Sequence, residues 1–250
     1  FKHYYIAKIM NSSQKQKTIQ AGKIASEVRE YARSIIKNGV PLLEIAEKIE
    51  SKIIELGRKP AFPTNLSIDE ITAHYTPSHN DETLAHGLLK VDFGVHIDGN
   101  IADTAFSIDL ENLEENKKLI KVSEEALENA IKRIKQNPKI SLGEIGKTIQ
   151  ETIESKKLSP IINLSGHSMQ EYDLHSGITI PNIDNKKENQ LKDGLYAIEP
   201  FVTSGNGKVY DGKPSGIYSL QDERNIRNPS AREILKFIIE EYKTLPFCER

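Results

Sequence analysis

Leu89-Lys-Val-Asp-Phe-Gly-Val-His-Ile97, then Asp98-Gly99, then Asn100-Ile-Ala-Asp-Thr-Ala-Phe-Ser-Ile108 is the stretch whose reading decides the fold. Two runs rich in β-branched and aromatic residues flank an Asp-Gly pair, a strong signal for a two-residue hairpin turn. With the turn at 98–99, Gly94 faces Asp103 and Asp92 faces Ala105, so residues 92, 94, 103 and 105 share one face. Asp92 and Asp103 are then diagonal neighbours, their backbones ~7–8 Å apart and their carboxylates able to converge. Gly94 leaves space between them. The opposite face, with Val91, Phe93, Val95, Ala102 and Thr104, reads as a core layer. Like charges on an enclosed surface need a cation, a shared proton or solvent. The hairpin alone equally suits a solvated face with incidental aspartates. A carboxylate here could also bridge two metals ~3.5–4 Å apart.

Outward from the hairpin, apolar residues recur at helical spacing from about Gln14 to Lys37, and Gly39 and Pro41 end that pattern. A second helix is expected over Leu42–Leu56, and Pro60–Leu66 reads as extended. His74–Asp81, rich in Thr, Pro, Ser and Asn, reads as a loop. Beyond the hairpin, helices are expected over Leu113–Lys135 and, opened by the capping box Ser141-Leu-Gly-Glu144, to about Lys156. Ile161–Leu164, Asp173–Ile180 and Leu195–Val202 are strand candidates, and Ala231–Tyr242 a final helix. Asp184–Asp193 and Gly205–Arg227 carry no clear pattern. Helices and hairpins alternate without a βαβ beat, which makes the fold class α+β.

The chain has 250 residues and a formal net charge of −2, which excludes a global basic field for nucleic acid or anionic membrane. The lysine run Lys132–Lys139 reads as a solvated helix end. No apolar run approaches the ~18 residues of a membrane span. The single cysteine, Cys248, has no partner for an internal disulfide and suits a reducing, cytoplasmic setting. Phe1–Ile9 lacks the apolar stretch of a signal peptide. Met10 after it reads either as a translation start or as an ordinary internal methionine.

Seven histidines are present. His167 directly follows Asn163-Leu-Ser-Gly166, where the glycine permits close backbone approach to a ligand. His175 sits in Leu174-His-Ser-Gly177 on the next extended segment. Glu199, in Tyr196-Ala-Ile-Glu-Pro-Phe201, is a charge in an apolar strand, costly unless paired, and Pro200 confines that strand to an edge or its end. Taken singly, each of these is also readable as a structural histidine or an edge glutamate facing water. Together with the aspartate pair, they make a metal site the better reading.

Seven segments in order, Phe62-Pro-Thr-Asn-Leu-Ser67, Ala73-His-Tyr-Thr-Pro77, Val91–Gly99, Ile101-Ala-Asp-Thr-Ala105, Asn163–His167, Leu174–Gly177 and Ala197-Ile-Glu-Pro-Phe201, resemble the methionine aminopeptidases of type 2. The resemblance covers nearly the whole chain. It implies the pita-bread (creatinase/aminopeptidase) fold in a single domain over 1–250, with the type 2 helical insertion at about 205–247, in the short archaeal form. It implies that Asp92 chelates one metal, that Asp103 bridges two, and that His167 and Glu199 complete the other metal's shell. His74 would contact substrate beside the scissile amide and stabilise the tetrahedral intermediate, and His175 would lie beside substrate and metals. The implied reaction is removal of N-terminal methionine by a metal-activated hydroxide, with preference for a small second residue. The implied partners are N-terminal Met peptides of nascent chains, at the ribosome. The implied enzyme is a cytoplasmic monomer with no membrane and no specific nucleic-acid partner.

The resemblance departs at one point. The family's fifth ligand, a bridging glutamate on a late strand, has no counterpart, and Glu249 lacks the surroundings expected of it. The fold is therefore expected to be C-terminally incomplete. Two divalent ions (Mn, Fe, Co or Zn) are expected in the complete protein and one or none in these 250 residues. The alternatives are a proline dipeptidase-like metallopeptidase and a non-catalytic pita-bread binding module.

Overall fold

The computed structural model describes residues 10–224 and 226–250, so the reading of Phe1–Ile9 lies outside the described residues. The chain divides into two compact units. One comprises Asn11–Leu110, Gln170–Leu174 and Lys213–Arg250; the other contains Glu111–Met169 and His175–Gly212.

In the first unit the chain opens on α1 (Ser12–Ile35). It starts earlier than apolar spacing suggests because Asn11 caps it: its side chain accepts from the Gln14 N–H, and the Gln14 side chain accepts from the Asn11 N–H, a reciprocal capping box. Helix α2 (Leu42–Glu55) buries Leu42, Ile45, Ala46, Ile49 and Ile53 on one stripe. The strands β1 (Lys59–Ile68), β2 (Leu88–Ile97) and β3 (Asn100–Asp109) form an antiparallel sheet in the order β1-β2-β3. The hairpin register is the expected one, with Gly94 opposite Asp103 and Asp92 opposite Ala105. Asp98 and Gly99 have φ of +49° and +78°, the left-handed pair a tight turn between right-twisted strands requires. Val91, Phe93 and Val95 are fully buried in one cluster with the α1 and α2 stripes, each contributing about 1.5–3 kcal/mol of apolar burial. Ala102 and Thr104, expected in the same layer, are only half-buried. The unit also contains β9 (Ile217–Tyr218) paired with β10 (Phe247–Cys248), and α5 (Pro229–Glu241). Asn228 caps α5, with Pro229 at its first turn.

In the second unit α3 (Glu114–Gln136) packs on α4 (Leu142–Ser155), burying Val122, Ala126 and Ala130 with Ile145, Ile149 and Ile153. The Ser141–Glu144 capping box is present, and Lys132–Lys139 is largely exposed around the end of α3. The strands here are short: β4 (Ser159–Pro160), β5 (Ser165–Met169), β6 (Thr179–Pro181), β7 (Leu195–Ala197) and β8 (Val202–Thr203). They form a sheet in the order β6-β5-β7 and a β4-β8 pair.

Three strand expectations are corrected here. Ile161–Leu164 is not a strand: the chain turns at 162–163, where Asn163 bonds the backbone of Val209 through both ends of its amide. Asp173–Ile180 is extended ladder only from Thr179, because Ser176 is bonded back onto Ser168 and the intervening residues form its loop. Leu195–Val202 is broken at 198–201, where Pro200 has no N–H for a ladder and Phe201 donates its own to Asn182 Oδ1. Glu199 therefore stands between β7 and β8, in neither strand.

Candidate metal and substrate residues

Asp92 and Asp103 are both half-buried on the sheet face that sequence spacing assigns them. Asn65, directly opposite Asp92 on β1, donates from Nδ2 to Asp92 Oδ2 at 3.1 Å and so orients that carboxylate. Gly94 serves a different purpose from the one its position suggests. The space its missing side chain leaves is taken by the Phe62 ring, with Phe62 Cε1 2.5 Å from where a Cβ would stand. The glycine thus lets β1 close against the hairpin.

His167 lies on β5, and its side chain is 11% exposed. Its Nε2 is 3.0 Å from Glu199 Oε1. Gly166 makes this approach possible, though its neighbour is backbone: a Cβ at Gly166 would stand 2.2 Å from the Ala197 carbonyl oxygen on β7. The His175 ring meets the His167 ring edge-on, with centroids 4.3 Å apart. The residues next in sequence, Ser168 and Ser176, have buried hydroxyls 2.8 Å apart, and Ser176 N–H donates to the Ser168 carbonyl. His175 itself is exposed.

His74 is exposed on the loop after β1, at a φ of +61°. A residue with a Cβ pays about 1–2 kcal/mol for that left-handed backbone. The next residues are tied down: Tyr75 carbonyl accepts the Leu66 N–H at 2.7 Å, Tyr75 Oη donates to Asp81 Oδ2 at 2.5 Å, and Thr76 Oγ1 donates to the Thr64 carbonyl at 2.9 Å.

Each unit thus gathers its own share of the expected residues: Asp92, Asp103 and His74 in one, His167, Glu199 and His175 in the other. Asn65 went unread, although Phe62–Ser67 is a recognisable segment, because its partner is visible only once β1 is registered against β2. Glu249 sits beside Tyr218, whose hydroxyl donates to Glu249 Oε1 at 3.1 Å.

The model of metallopeptidase family M24 matches residues 16–229. The chain belongs to metallopeptidase family M24. It is 52% identical to the methionine aminopeptidase of Methanocaldococcus jannaschii over 94% of this chain and 80% of that protein. Among solved structures it is similar to the methionine aminopeptidase of Thermotoga maritima, with a TM-score of 0.76 and 30% identity over 83% of this chain and 87% of that one. The prolidase of Pyrococcus furiosus shares the fold, at a TM-score of 0.63 and 20% identity over 78% of this chain and 58% of that one. The fold is the pita-bread fold of M24, mixed in helix and sheet as the sequence reading expects.

Proposed function

We propose that this chain is a methionine aminopeptidase of type 2: a metallo-exopeptidase that releases N-terminal methionine from nascent chains, preferring a small second residue. The observation that carries the reading is 52% identity to a methionine aminopeptidase over nearly the whole chain, together with M24 membership. The type 2 assignment rests on the ordered segments and on α5 within the expected insertion at about 205–247.

In this reading Asp92, Asp103, His167 and Glu199 would hold divalent metal. The residues fit that role. His167 Nε2 and Glu199 Oε1 lie 3.0 Å apart, an imidazole and a carboxylate close enough to face one cation. The two aspartates share one face of the hairpin, and a cation there would offset their repulsion. Mixed carboxylate and imidazole ligands suit Mn, Fe, Co or Zn. Divalent metal at these ligands supplies carbonyl polarisation and acidification of water. His74 donates a hydrogen bond beside the scissile amide, where charge develops. His175 lines the substrate side of His167. Asn65 keeps the Asp92 carboxylate turned for chelation. We place the enzyme in the cytoplasm as a monomer meeting its substrates at the ribosome. The lone cysteine supports the compartment. Among the described residues no helix is long and apolar enough to cross a membrane.

The test is hydrolysis of Met-Ala-Ser beside an Xaa-Pro dipeptide after loading with Mn(II) or Co(II). Methionine release with no Xaa-Pro cleavage is expected. Cleavage of Xaa-Pro alone would replace the reading with a proline dipeptidase, and no hydrolysis of either with a stable partner recovered would replace it with a binding module.

A further inference from the structure

Arg250 stands 176 residues beyond His74 in sequence, yet its contacts converge on the two residues that follow Tyr75. Its side chain is 5% exposed. Nη1 donates to Glu50 Oε2 at 2.5 Å and Nη2 donates to Glu50 Oε1 at 2.7 Å, the two-pronged arrangement only a guanidinium makes. Nη2 also donates to Thr76 Oγ1 at 2.9 Å, and Nε donates to the Pro77 carbonyl at 2.9 Å. Glu50 Oε1 in turn accepts the Thr64 N–H at 2.8 Å, and the Thr76 hydroxyl donates to the Thr64 carbonyl at 2.9 Å. The result is a closed network joining α2, β1, the 74–77 loop and residue 250, all within one unit.

A buried ion pair is costly unless its remaining donors and acceptors are met, and here the spare donors are spent on Thr76 and Pro77. Those residues follow a histidine whose φ of +61° persists only where its surroundings over-determine it. We propose that Arg250, acting through Glu50 and Thr76, is a positioning residue that holds the His74 loop in the conformation from which its imidazole meets substrate. This rests on the reading of His74 as a substrate-contacting residue.

The experiment compares R250K, which keeps the charge and loses the fork, with wild type, H74A and the H74A/R250K double variant, all metal-loaded. A misplaced reacting group costs roughly tenfold to 100-fold in turnover. R250K is expected to lose about tenfold in kcat on Met-Ala-Ser with KM within about threefold. The double variant should fall no more than about twofold below H74A, since two changes acting through one group do not multiply. In the Zn(II)-loaded protein the His74 Cε1–Hε1 NMR cross-peak should move in R250K while that of His175 stays. Should R250K fail to fold by circular dichroism, T76V, which removes only the hydroxyl linking Arg250 to Thr64, takes its place. Unchanged kcat in the substituted protein, or losses that multiply fully in the H74A background, would overturn the proposal. If wild type releases no methionine, the proposed function fails on its own, and the cross-peak then decides: an unmoved His74 signal in R250K overturns the positioning role.

Discussion

Asp103 and His167 come from different units, and the reading of the chain as a metallopeptidase asks both to hold metal. D103A and H167A should each weaken Mn(II) binding by at least about 100-fold by isothermal titration, beyond the 10–100-fold typical of outer-shell changes. N65A removes only the donor that orients Asp92 and should fall within that outer-shell range. Gly166→Ala should be harsher than its size suggests, because the new methyl meets the Ala197 carbonyl oxygen at 2.2 Å, backbone that yields little. A stability loss of roughly 1–3 kcal/mol in urea is expected, with weaker metal binding as His167 shifts. His96 supplies a pH prediction. Burial, helped by the Lys59 charge, pushes its imidazole down to about 4, and its Nδ1 accepts the Gly99 N–H at 3.1 Å, which protonation would abolish. Against an ordinary value of about 6.5, the unfolded chain binds the extra proton between the two values. Stability from this group is therefore complete above pH 6.5 and lost as pH falls towards 4, by about 3 kcal/mol. Urea titrations across that window should show the slope, and H96N should flatten it.

At the scale of elements, the hairpin turn and the helix caps carry most of the local information. Gly99 has a φ of +78°, and a Cβ there would stand 2.2 Å from Tyr172 Cδ2. Gly99→Ala should cost roughly 1–3 kcal/mol and lower metal affinity through the Asp92–Asp103 register, measurable by the same titrations. Ser141→Ala, which breaks the α4 capping box, should cost about 1 kcal/mol while leaving methionine release unchanged, since α4 carries none of the proposed ligands. The hairpin was legible because Asp-Gly sets its own backbone and period-two alternation sets the faces. The strands around His167 and Glu199 were not. With two to five residues each, they are too short to show a period, and side-chain bonds from Asn163, Ser168 and Asn182 decide where they stop.

For the molecule as a whole, chelation is the direct test of the chemistry. Removing metal with EDTA should abolish methionine release, and Mn(II), Co(II) or Fe(II) should restore it, while far-ultraviolet circular dichroism stays unchanged because each unit holds its own apolar core.

The sequence by itself determined the pita-bread fold class, the hairpin register and the helices, and it is the source of the proposed ligands. These depend on local backbone preference, apolar period and ordered motifs, all of which are written along the chain. The tertiary structure alone decided that Phe62 fills the space at Gly94, that Asn65 orients Asp92, that His175 stacks edge-on to His167, and that Arg250 reaches Glu50 and Thr76. Each of these joins residues distant in sequence through a buried contact, and no local periodicity encodes which side chains the packing of a core brings face to face.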